Sequence, residues 1–232
     1  HNMRILHTAD LHLAFNKPDT VKTLNKLLET AENKGVDILT IGGDIFDSPE
    51  DASRLRTEVR ERCSNLSLDV VAIPGNHDAD VFKQSFDLGT HLKVLRNDPY
   101  DKVECGEVTI IGVPFRSSLT SELFSTLQDA GGADNIRILL LHCTPDLGLG
   151  HSTAGDDAES RYFPIELETL GRLTYEFVLA GHIHARLVSE DPTNGGRLVS
   201  PGSPMAHSRG ELGPRHPALT VTHPEGVEPP AP

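Results

Sequence analysis

The first 75 residues alternate short apolar segments with segments of helical period, and this alternation constrains the fold more than any other feature of the chain. Strands are predicted at Arg4–Thr8, Asp37–Ile41 and Val70–Ile73. Between them we predict a helix that begins at Pro18 and ends before Gly35, and a second helix that follows Ser48 and Pro49. A β-α-β-α-β order is typical of a largely parallel sheet covered by helices, so we expect an α/β fold.

The remainder of the chain continues this alternation less regularly. Further strands are predicted over Val108–Val113, Ile136–Leu141, Phe177–Ala180, Leu198–Ser200 and Ala218–Val221. An amphipathic helix is predicted over residues 117–130, and the polar, glycine-rich stretch over residues 144–164 is typical of a functional loop. Because there is no repeat and no linker, we expect one domain over residues 3–222 and a proline-rich tail over residues 223–232. His1 and Asn2, which precede Met3, are interpreted as a cloning remnant.

The charge and composition of the chain exclude several functions. The chain has 34 Asp and Glu but 21 Lys and Arg, and its net charge of −13 excludes binding to nucleic acid through bulk positive charge. No apolar stretch approaches the roughly 20 residues that span a bilayer, so we expect no membrane association. The three cysteines have no CxxC spacing, which favours a reducing compartment, and we expect a cytoplasmic protein.

Polar residues that can bind metal ions follow the predicted strands. Asp10 and His12 follow the first strand, Asp44 and Asp47 the second, Asn76 and His77 the third, and His142, His182 and His184 two later strands. Because ligands of α/β sheets bind beyond the carboxyl ends of the strands, we expect these side chains to converge. Imidazole together with carboxylate and amide oxygens fits Mn²⁺, Fe²⁺ or Zn²⁺ better than Ca²⁺. The pattern therefore predicts a pair of divalent cations.

The same residues carry a resemblance to a known family. In chain order, Asp10-x-His12, Gly43-Asp44-x-x-Asp47, Gly75-Asn76-His77-Asp78, His142 and Gly181-His182-x-His184 resemble the five motifs of the calcineurin-like metallophosphoesterase superfamily. One such motif alone is weak evidence, but all five in order at strand ends are very specific. The sequence segments around these motifs, such as HTADLHL, GGDIFDSP and PGNHD, are most similar to the DNA-repair nuclease branch of this superfamily.

The resemblance implies a fold and a set of metal ligands. The fold would be a four-layer αββα sandwich of two mixed β-sheets. One metal ion would be held by Asp10, His12, Asp44 and His184, and the other by Asp44, Asn76, His142 and His182, with Asp44 bridging both. We expect Mn²⁺ as the metal, with Fe²⁺ and Zn²⁺ as alternatives.

The resemblance also implies a catalytic role for two residues that follow the second and third strands. Two cations about 3.5–4 Å apart can share a hydroxide that attacks the phosphodiester. The leaving alkoxide needs a proton, which His77 would donate as a general acid while Asp47 orients its ring. Asp78 is expected to stabilise its loop as a hydrogen-bond acceptor. Weaker candidates for contact with the substrate are Arg116, Arg209, His151 and His207.

Three functions follow from these expectations. The first is a DNA endonuclease or exonuclease of DNA repair that acts on flexible or single-stranded DNA. The second is a phosphodiesterase for a small molecule such as a cyclic nucleotide or a nucleotide-sugar, and the third is a non-catalytic interaction module. In the nuclease branch, a capping domain and segments that bind an ATPase follow the core. Fewer than fifty residues follow His184, so we expect no ATPase partner.

Overall fold

The computed structural model describes residues 3–130, 135–146, 163–182, 187–189, 197–201, 204–205, 218–221 and 227–228. Along these residues the helices are α1 (Pro18–Asn33), α2 (Pro49–Ser64), α3 (Ala79–Phe82), α4 (Ser121–Asp129) and α5 (Leu167–Gly171). The strands are β1 (Arg4–Thr8), β2 (Ile38–Ile41), β3 (Asp69–Ala72), β4 (Leu92–Val94), β5 (Asp101–Cys105), β6 (Val108–Gly112), β7 (Ile136–His142), β8 (Thr144–Asp146), β9 (Pro164–Glu166), β10 (Phe177–Gly181), β11 (Leu187–Ser189), β12 (Arg197–Ser200), β13 (Ala218–Val221) and β14 (Val227–Glu228).

The larger strands form two six-stranded sheets. The first has the order β14-β13-β1-β2-β3-β4. Strands β1 to β4 are parallel to one another, β13 is antiparallel to β1, and β14 is antiparallel to β13. The second has the order β11-β12-β10-β7-β6-β5, in which the four central strands are parallel and the two edge strands are antiparallel. Both sheets are therefore mixed, and the predicted α/β class is confirmed.

Three apolar clusters show how the layers pack. Ile5 and Ile38 of the first sheet pack with Ile138 and Leu179 of the second in a cluster that lies between the sheets. A second cluster joins α1 and α2 to the first sheet, and a third joins α4 and α5 to the second sheet. Each sheet is thus covered by helices on one face and by the other sheet on the opposite face, which confirms the predicted four-layer αββα sandwich.

The two helices next to the first sheet begin and pack as their sequences predict. In α1, Pro18 occupies the first turn, and the buried residues recur at helical spacing. In α2, the hydroxyl of Ser48 accepts a hydrogen bond from the N–H of Asp51 at 3.2 Å, which caps the helix. Leu55, Val59 and Cys63 form its buried face, as their four-residue spacing predicts.

Several elements differ from the prediction. Helix α4 begins at Ser121 and not at residue 117, because the hydroxyl of Thr120 accepts the N–H of Leu123 and caps the helix there. The short elements α3, α5, β4, β5, β8, β9, β11 and β14 were not predicted, since so few residues carry too little periodicity. Strand β14 lies within the predicted tail and pairs with β13. No helix among the described residues is long and apolar enough to cross a membrane.

The long polar segment predicted as a functional loop has structured ends. Thr144–Asp146 and Pro164–Glu166 pair in parallel as β8 and β9. Residues 147–162 lie outside the described residues, and His151 is among them.

Candidate metal centre

The carboxyl ends of five strands, from both sheets, bring the candidate ligands together. Eight predicted site residues are described there: Asp10, His12, Asp44, Asp47, Asn76, His77, His142 and His182. His142 is the last residue of β7 and pairs in register with Gly181 at the end of β10. The rings of His142 and His182 therefore lie near each other, with centroids 5.1 Å apart. His184 lies outside the described residues.

Main-chain hydrogen bonds hold the loops after β1 and β2 alongside each other. The N–H of Asp10 donates to the carbonyl of Gly43, and that of His12 to the carbonyl of Asp44, both at 3.0 Å. The N–H of Leu13 continues the pattern with the carbonyl of Ile45 at 2.8 Å. The two loops therefore extend the parallel pairing of their strands, which fixes the spacing between the Asp10-x-His12 segment and Asp44.

Asp78 ties the third loop to the second. Its Oδ1 accepts the N–H of Gly75 at 2.8 Å, and its Oδ2 accepts the N–H groups of Ile45 at 2.8 Å and Phe46 at 3.2 Å. The side chain is fully buried. Burial, helped by the nearby charge of Asp44, raises the pKa of Asp78 to about 7. The predicted role of Asp78 as a loop-stabilising acceptor is confirmed.

Backbone strain is concentrated at the site. Six described residues other than glycine have positive φ, and four of them are site residues: Asp10 (55°), His12 (44°), Asp44 (53°) and His182 (88°). Left-handed backbone costs a non-glycine residue of order 1–3 kcal/mol and persists where the surrounding structure demands it. Close packing adds to the constraint, because a Cβ on Gly75 would collide with the carboxylate of Asp44.

Asp44 lies at the centre of the cluster. Its Oδ2 is 3.3 Å from Nε2 of His142 and 3.8 Å from Nε2 of His12, and its Oδ1 accepts the N–H of His77 at 2.9 Å. Burial by itself would raise the pKa of this carboxyl, but His142 and His12 outweigh it and hold the pKa well below its ordinary value. Although burial disfavours the charged ring, Asp44 raises the pKa of His142 to about 9. The first and second sheets thus meet in a buried, charged contact.

The arrangement of His142 fits a cation. Its Nδ1–H donates to the carbonyl oxygen of Gly42 at 2.7 Å, because a carbonyl can only accept. Its Nε2 then faces two oxygens, Oδ1 of Asn76 at 2.8 Å and Oδ2 of Asp44 at 3.3 Å. A lone pair on this nitrogen would repel the lone pairs of both oxygens. Either a proton on the nitrogen or a metal ion bound to all three groups removes this repulsion.

A second cluster of possible ligands also includes Asp44. Asp10, His12 and Asp44 are all buried, and their ligand atoms lie within 4.8 Å of one another. Both oxygens of Asp10 also accept the N–H of His182, at 3.1 and 3.0 Å, which links this cluster to the second sheet. Buried carboxylates are costly unless they are paired or coordinate a metal, so these donors fit a divalent cation.

Asp47 contacts both nearby histidines, the ring of His12 through its carboxylate and the ring of His77 through its main-chain carbonyl. The Nδ1–H of His12 donates to Oδ1 of Asp47 at 3.1 Å. The Nδ1–H of His77 donates instead to the main-chain carbonyl of Asp47, also at 3.1 Å. The two rings are perpendicular, with centroids 4.7 Å apart. The carboxylate contacts His12, whose ring is buried beside it, whereas the side chain of His77 is exposed.

These contacts shift the pKa values of Asp47 and His12 in opposite directions. Burial lowers the pKa of His12, but the hydrogen bond to Asp47 and the charges of Asp44 and Asp10 outweigh burial and raise it above its ordinary value. The hydrogen bond from His12 lowers the pKa of Asp47. The carboxylate form of Asp47 is therefore the stable partner for the His12 ring.

The weaker candidates for contact with the substrate are placed only in part. Arg116 follows Phe115, whose ring centroid lies 6.0 Å from that of His142. The loop that carries Arg116 therefore borders the site. Nη1 of Arg116 itself lies 3.5 Å from Oδ1 of Asp98. Arg209, His151 and His207 lie outside the described residues.

Sequence reasoning overlooked one residue that connects the two sheets. His7 is fully buried in β1, where its Nε2–H donates to the carbonyl of Ala180 in β10 at 3.0 Å, and its Nδ1 accepts the hydroxyl of Thr40 at 2.9 Å. Burial lowers the pKa of His7 to about 4, so the ring is neutral. His7 lies two residues after Ile5, on the same face of the strand, and this spacing is the signal in RILHT that marks it as an inward-facing residue.

Comparisons with known proteins agree with this geometry. The family model for calcineurin-like phosphoesterases matches residues 3–186. The D subunit of nuclease SbcCD from Escherichia coli (strain K12) is 37% identical over 86 residues, which cover 33% of this chain and 22% of that protein. The corresponding protein of Staphylococcus saprophyticus is 24% identical over 216 residues, which cover 78% of this chain and 56% of that protein. The chain thus spans about half or less of the length of these relatives.

Two solved structures are similar in fold. A dimetal phosphatase from Danio rerio has a TM-score of 0.65 at 12% identity, with 97% of this chain and 96% of that chain covered. GAP50 of Plasmodium has a TM-score of 0.58 at 13% identity, with 97% and 82% covered. At such identities the likeness concerns the fold alone. The family match extends over most of the chain and includes the clustered residues described above, and the chain belongs to the calcineurin-like phosphoesterase family.

Proposed function

We propose that this protein is a two-metal phosphodiesterase that cleaves DNA, preferentially in flexible or single-stranded regions. The single observation that carries the proposal is the convergence of Asp10, His12, Asp44, Asn76, His142 and His182 at the strand ends of both sheets. The similarity to two nuclease subunits supports a nucleic acid as the substrate. The resemblance of the motif segments to the DNA-repair nuclease branch supports DNA as that nucleic acid and DNA repair as the process.

Two groups of residues would hold the metal ions. Asp10, His12, Asp44 and His184 would hold one ion, and Asp44, Asn76, His142 and His182 the other, with His184 contributed from outside the described residues. When bound, two divalent cations lower the pKa of water and neutralise the charge of the phosphate. The mixture of imidazole, carboxylate and amide donors favours Mn²⁺, with Fe²⁺ and Zn²⁺ as alternatives.

His77 would serve as the general acid. Its Nδ1–H is engaged with the main-chain carbonyl of Asp47, which leaves Nε2 to give a proton to the leaving alkoxide. The side chain is exposed, unlike the buried His12 and His142, so a substrate can reach it. The main-chain hydrogen bond to Asp44 holds the residue beside the candidate ligands.

A small phosphodiester is the second candidate substrate. The net charge of −13 favours it, because a long polyanion is repelled by an acidic protein unless metal ions or local contacts compensate. A cyclic nucleotide or a nucleotide-sugar would meet far less of this charge than a DNA strand.

Metal reconstitution on a panel of substrates tests the proposal. Metal-free protein is incubated with Mn²⁺, Fe²⁺, Zn²⁺, Mg²⁺ or Ca²⁺ and then with circular DNA, linear duplex, a single-stranded oligonucleotide or bis-p-nitrophenyl phosphate. We expect cleavage of the oligonucleotide and nicking of the circle with Mn²⁺, and neither with Asp44→Asn, which controls for a contaminating nuclease. Cleavage of the small ester with all DNA left intact would replace the proposal with the second candidate.

A further inference from the structure

We propose that Phe15 and Arg54 form a stacking platform that holds a nucleobase of the substrate next to the metal centre. The inference deepens the proposed function, on which it rests, by naming the part of the substrate that is recognised beyond the phosphate. It predicts a preference for phosphodiesters that carry a base over those that carry only sugar and phosphate.

The first observation is the exposure of Phe15. Its side chain is 56% exposed, and it is the one large hydrophobic side chain that is exposed among the residues the structure describes. Single exposed apolar residues are ordinary on protein surfaces. Phe15 differs because its ring contacts the guanidinium of Arg54 and because it follows the candidate ligand His12 by three residues.

The second observation is the position of Phe15 in the site loops. It lies three residues after His12, so its Cα is at most about 11 Å from that of His12. The N–H of Asp47 donates to the carbonyl of Leu13 at 3.1 Å, and the N–H of Phe15 donates to Oδ1 of Asp51 at 2.8 Å. The segment is therefore fastened at both ends to the loop that carries Asp47 and to the first turn of α2. This holds Phe15 beside the loops that carry His12 and Asp47, where a nucleotide that neighbours the bound phosphate would lie.

The third observation is the guanidinium beside the ring. Cζ of Arg54 lies 4.9 Å from the centroid of Phe15, and Nη2 of Arg54 is 2.8 Å from Oε1 of Glu50. Glu50 thus fixes the guanidinium over the ring while both charged groups stay exposed. Bases stack on aromatic rings and on the planes of Arg side chains, so either member of this stacked pair can receive a base on its outward side.

Stacking also suits the charge of this chain. Contacts to phosphate need positive charge, but in this chain the acidic side chains outnumber the basic ones by 13. A π-face attracts a base without requiring that charge, and it tolerates any base sequence. A single ring with one cation is too small for a protein partner, whereas it matches the face of one base.

Kinetics with substituted rings tests the platform. On an octathymidylate strand, we expect Phe15→Leu to raise KM about tenfold with little change in kcat, because stacking contributes about 5- to 100-fold in binding. Phe15→Tyr keeps the ring and should behave as the wild type. On an octamer of abasic nucleotides, the Leu variant and the wild type should have equal KM values. Equal KM values for the Phe15→Leu variant and the wild type on octathymidylate would overturn the proposal.

A binding experiment separates this inference from the proposed function. The chain has no Trp, so Phe15→Trp introduces a single Trp, at the platform, whose fluorescence can be excited apart from that of Tyr. We expect deoxyadenosine monophosphate, which is not a phosphodiester, to quench this Trp, and deoxyribose 5-phosphate to leave it unquenched. Equal quenching by both, or by neither, would overturn the platform. Quenching by the nucleotide in a protein that cleaves no DNA would support the platform while refuting the nuclease proposal.

Discussion

Oδ1 of Asp47 lies 3.1 Å from Nδ1 of His12, while the main-chain carbonyl of the same residue accepts the Nδ1–H of His77 at 3.1 Å. One residue therefore positions both histidines, but through different groups. A carboxylate on one ring nitrogen fixes the tautomer of a histidine and directs the other nitrogen to a metal. We therefore expect the carboxylate of Asp47 to support metal binding through His12, and its main chain to orient His77.

Substitution of Asp47 distinguishes these two roles. We expect Asp47→Ala to weaken Mn²⁺ binding about 10- to 100-fold, as loss of such a partner typically does. The main-chain carbonyl remains, so the dependence of kcat on the acid His77 should persist at saturating metal. Isothermal titration of metal-free protein with Mn²⁺ gives the affinity, and pH–rate profiles give the second readout. If Asp47→Ala bound Mn²⁺ as tightly as the wild type, but its pH–rate profile no longer showed the ionisation of the general acid, the carboxylate would instead orient His77.

The role of His77 as the acid is tested with two leaving groups. We expect His77→Ala to lower turnover of an oligonucleotide by about 10²- to 10⁴-fold, because an alkoxide must be protonated as it leaves. Bis-p-nitrophenyl phosphate should be affected far less, since nitrophenolate leaves without a proton. Metal content, measured by elemental analysis, should equal that of the wild type because His77 is exposed and is not one of the ligands proposed above. An equal loss on both substrates would argue against acid catalysis.

Asp78 should contribute to stability more than its acidic neighbours. Asp78→Ala leaves three N–H groups without their acceptor, those of Ile45, Phe46 and Gly75. We expect the free energy of unfolding to fall by about 2–3 kcal/mol in urea denaturation at a pH above the raised pKa of Asp78, as for loss of hydrogen bonds to a charged group. Asp80→Ala is a matched control, since Asp80 is exposed and pairs with the exposed Lys83, and it should change stability by about 0.5 kcal/mol or less. Equal effects of the two substitutions would contradict this assignment.

His7 should make the fold sensitive to mild acid. Burial lowers its pKa from 6.5 to about 4, so between these values the unfolded chain binds the proton more readily than the native protein. Stability due to His7 is therefore complete above pH 6.5 and falls as the pH drops toward 4, by about 1.4 kcal/mol per pH unit within that window.

Comparison with a neutral variant isolates this effect. Between pH 7 and pH 5 the wild type should lose about 2 kcal/mol relative to His7→Gln, measured by urea denaturation at each pH. Asp78 titrates near this range too, with its pKa raised to about 7, but it does so in both proteins and cancels in the difference. Parallel stability curves for the two proteins would show that His7 does not titrate in this way.

Much of the fold could be predicted from local pattern. Strand β1 and the buried faces of α1 and α2 follow from hydrophobic period and capping residues, which act over a few residues of chain. Short or edge elements such as β4 and β5 carry little local signal, because their pairing partners hold them in place. The two-sheet architecture was expected from the resemblance to a family and not from periodicity.

The candidate site divides in the same way. The chain itself determined which residue types follow the strands, since Asp, Asn and His stand at fixed positions in the motifs. Only the tertiary structure decided their partners: the Asp47 carboxylate on His12, 35 residues away, and the contact of His7 with Ala180, 173 residues away. Such choices depend on which buried donors lie within hydrogen-bonding distance after the two sheets pack. Local sequence carries no information on that distance, because it is set by the packing of side chains remote in the chain.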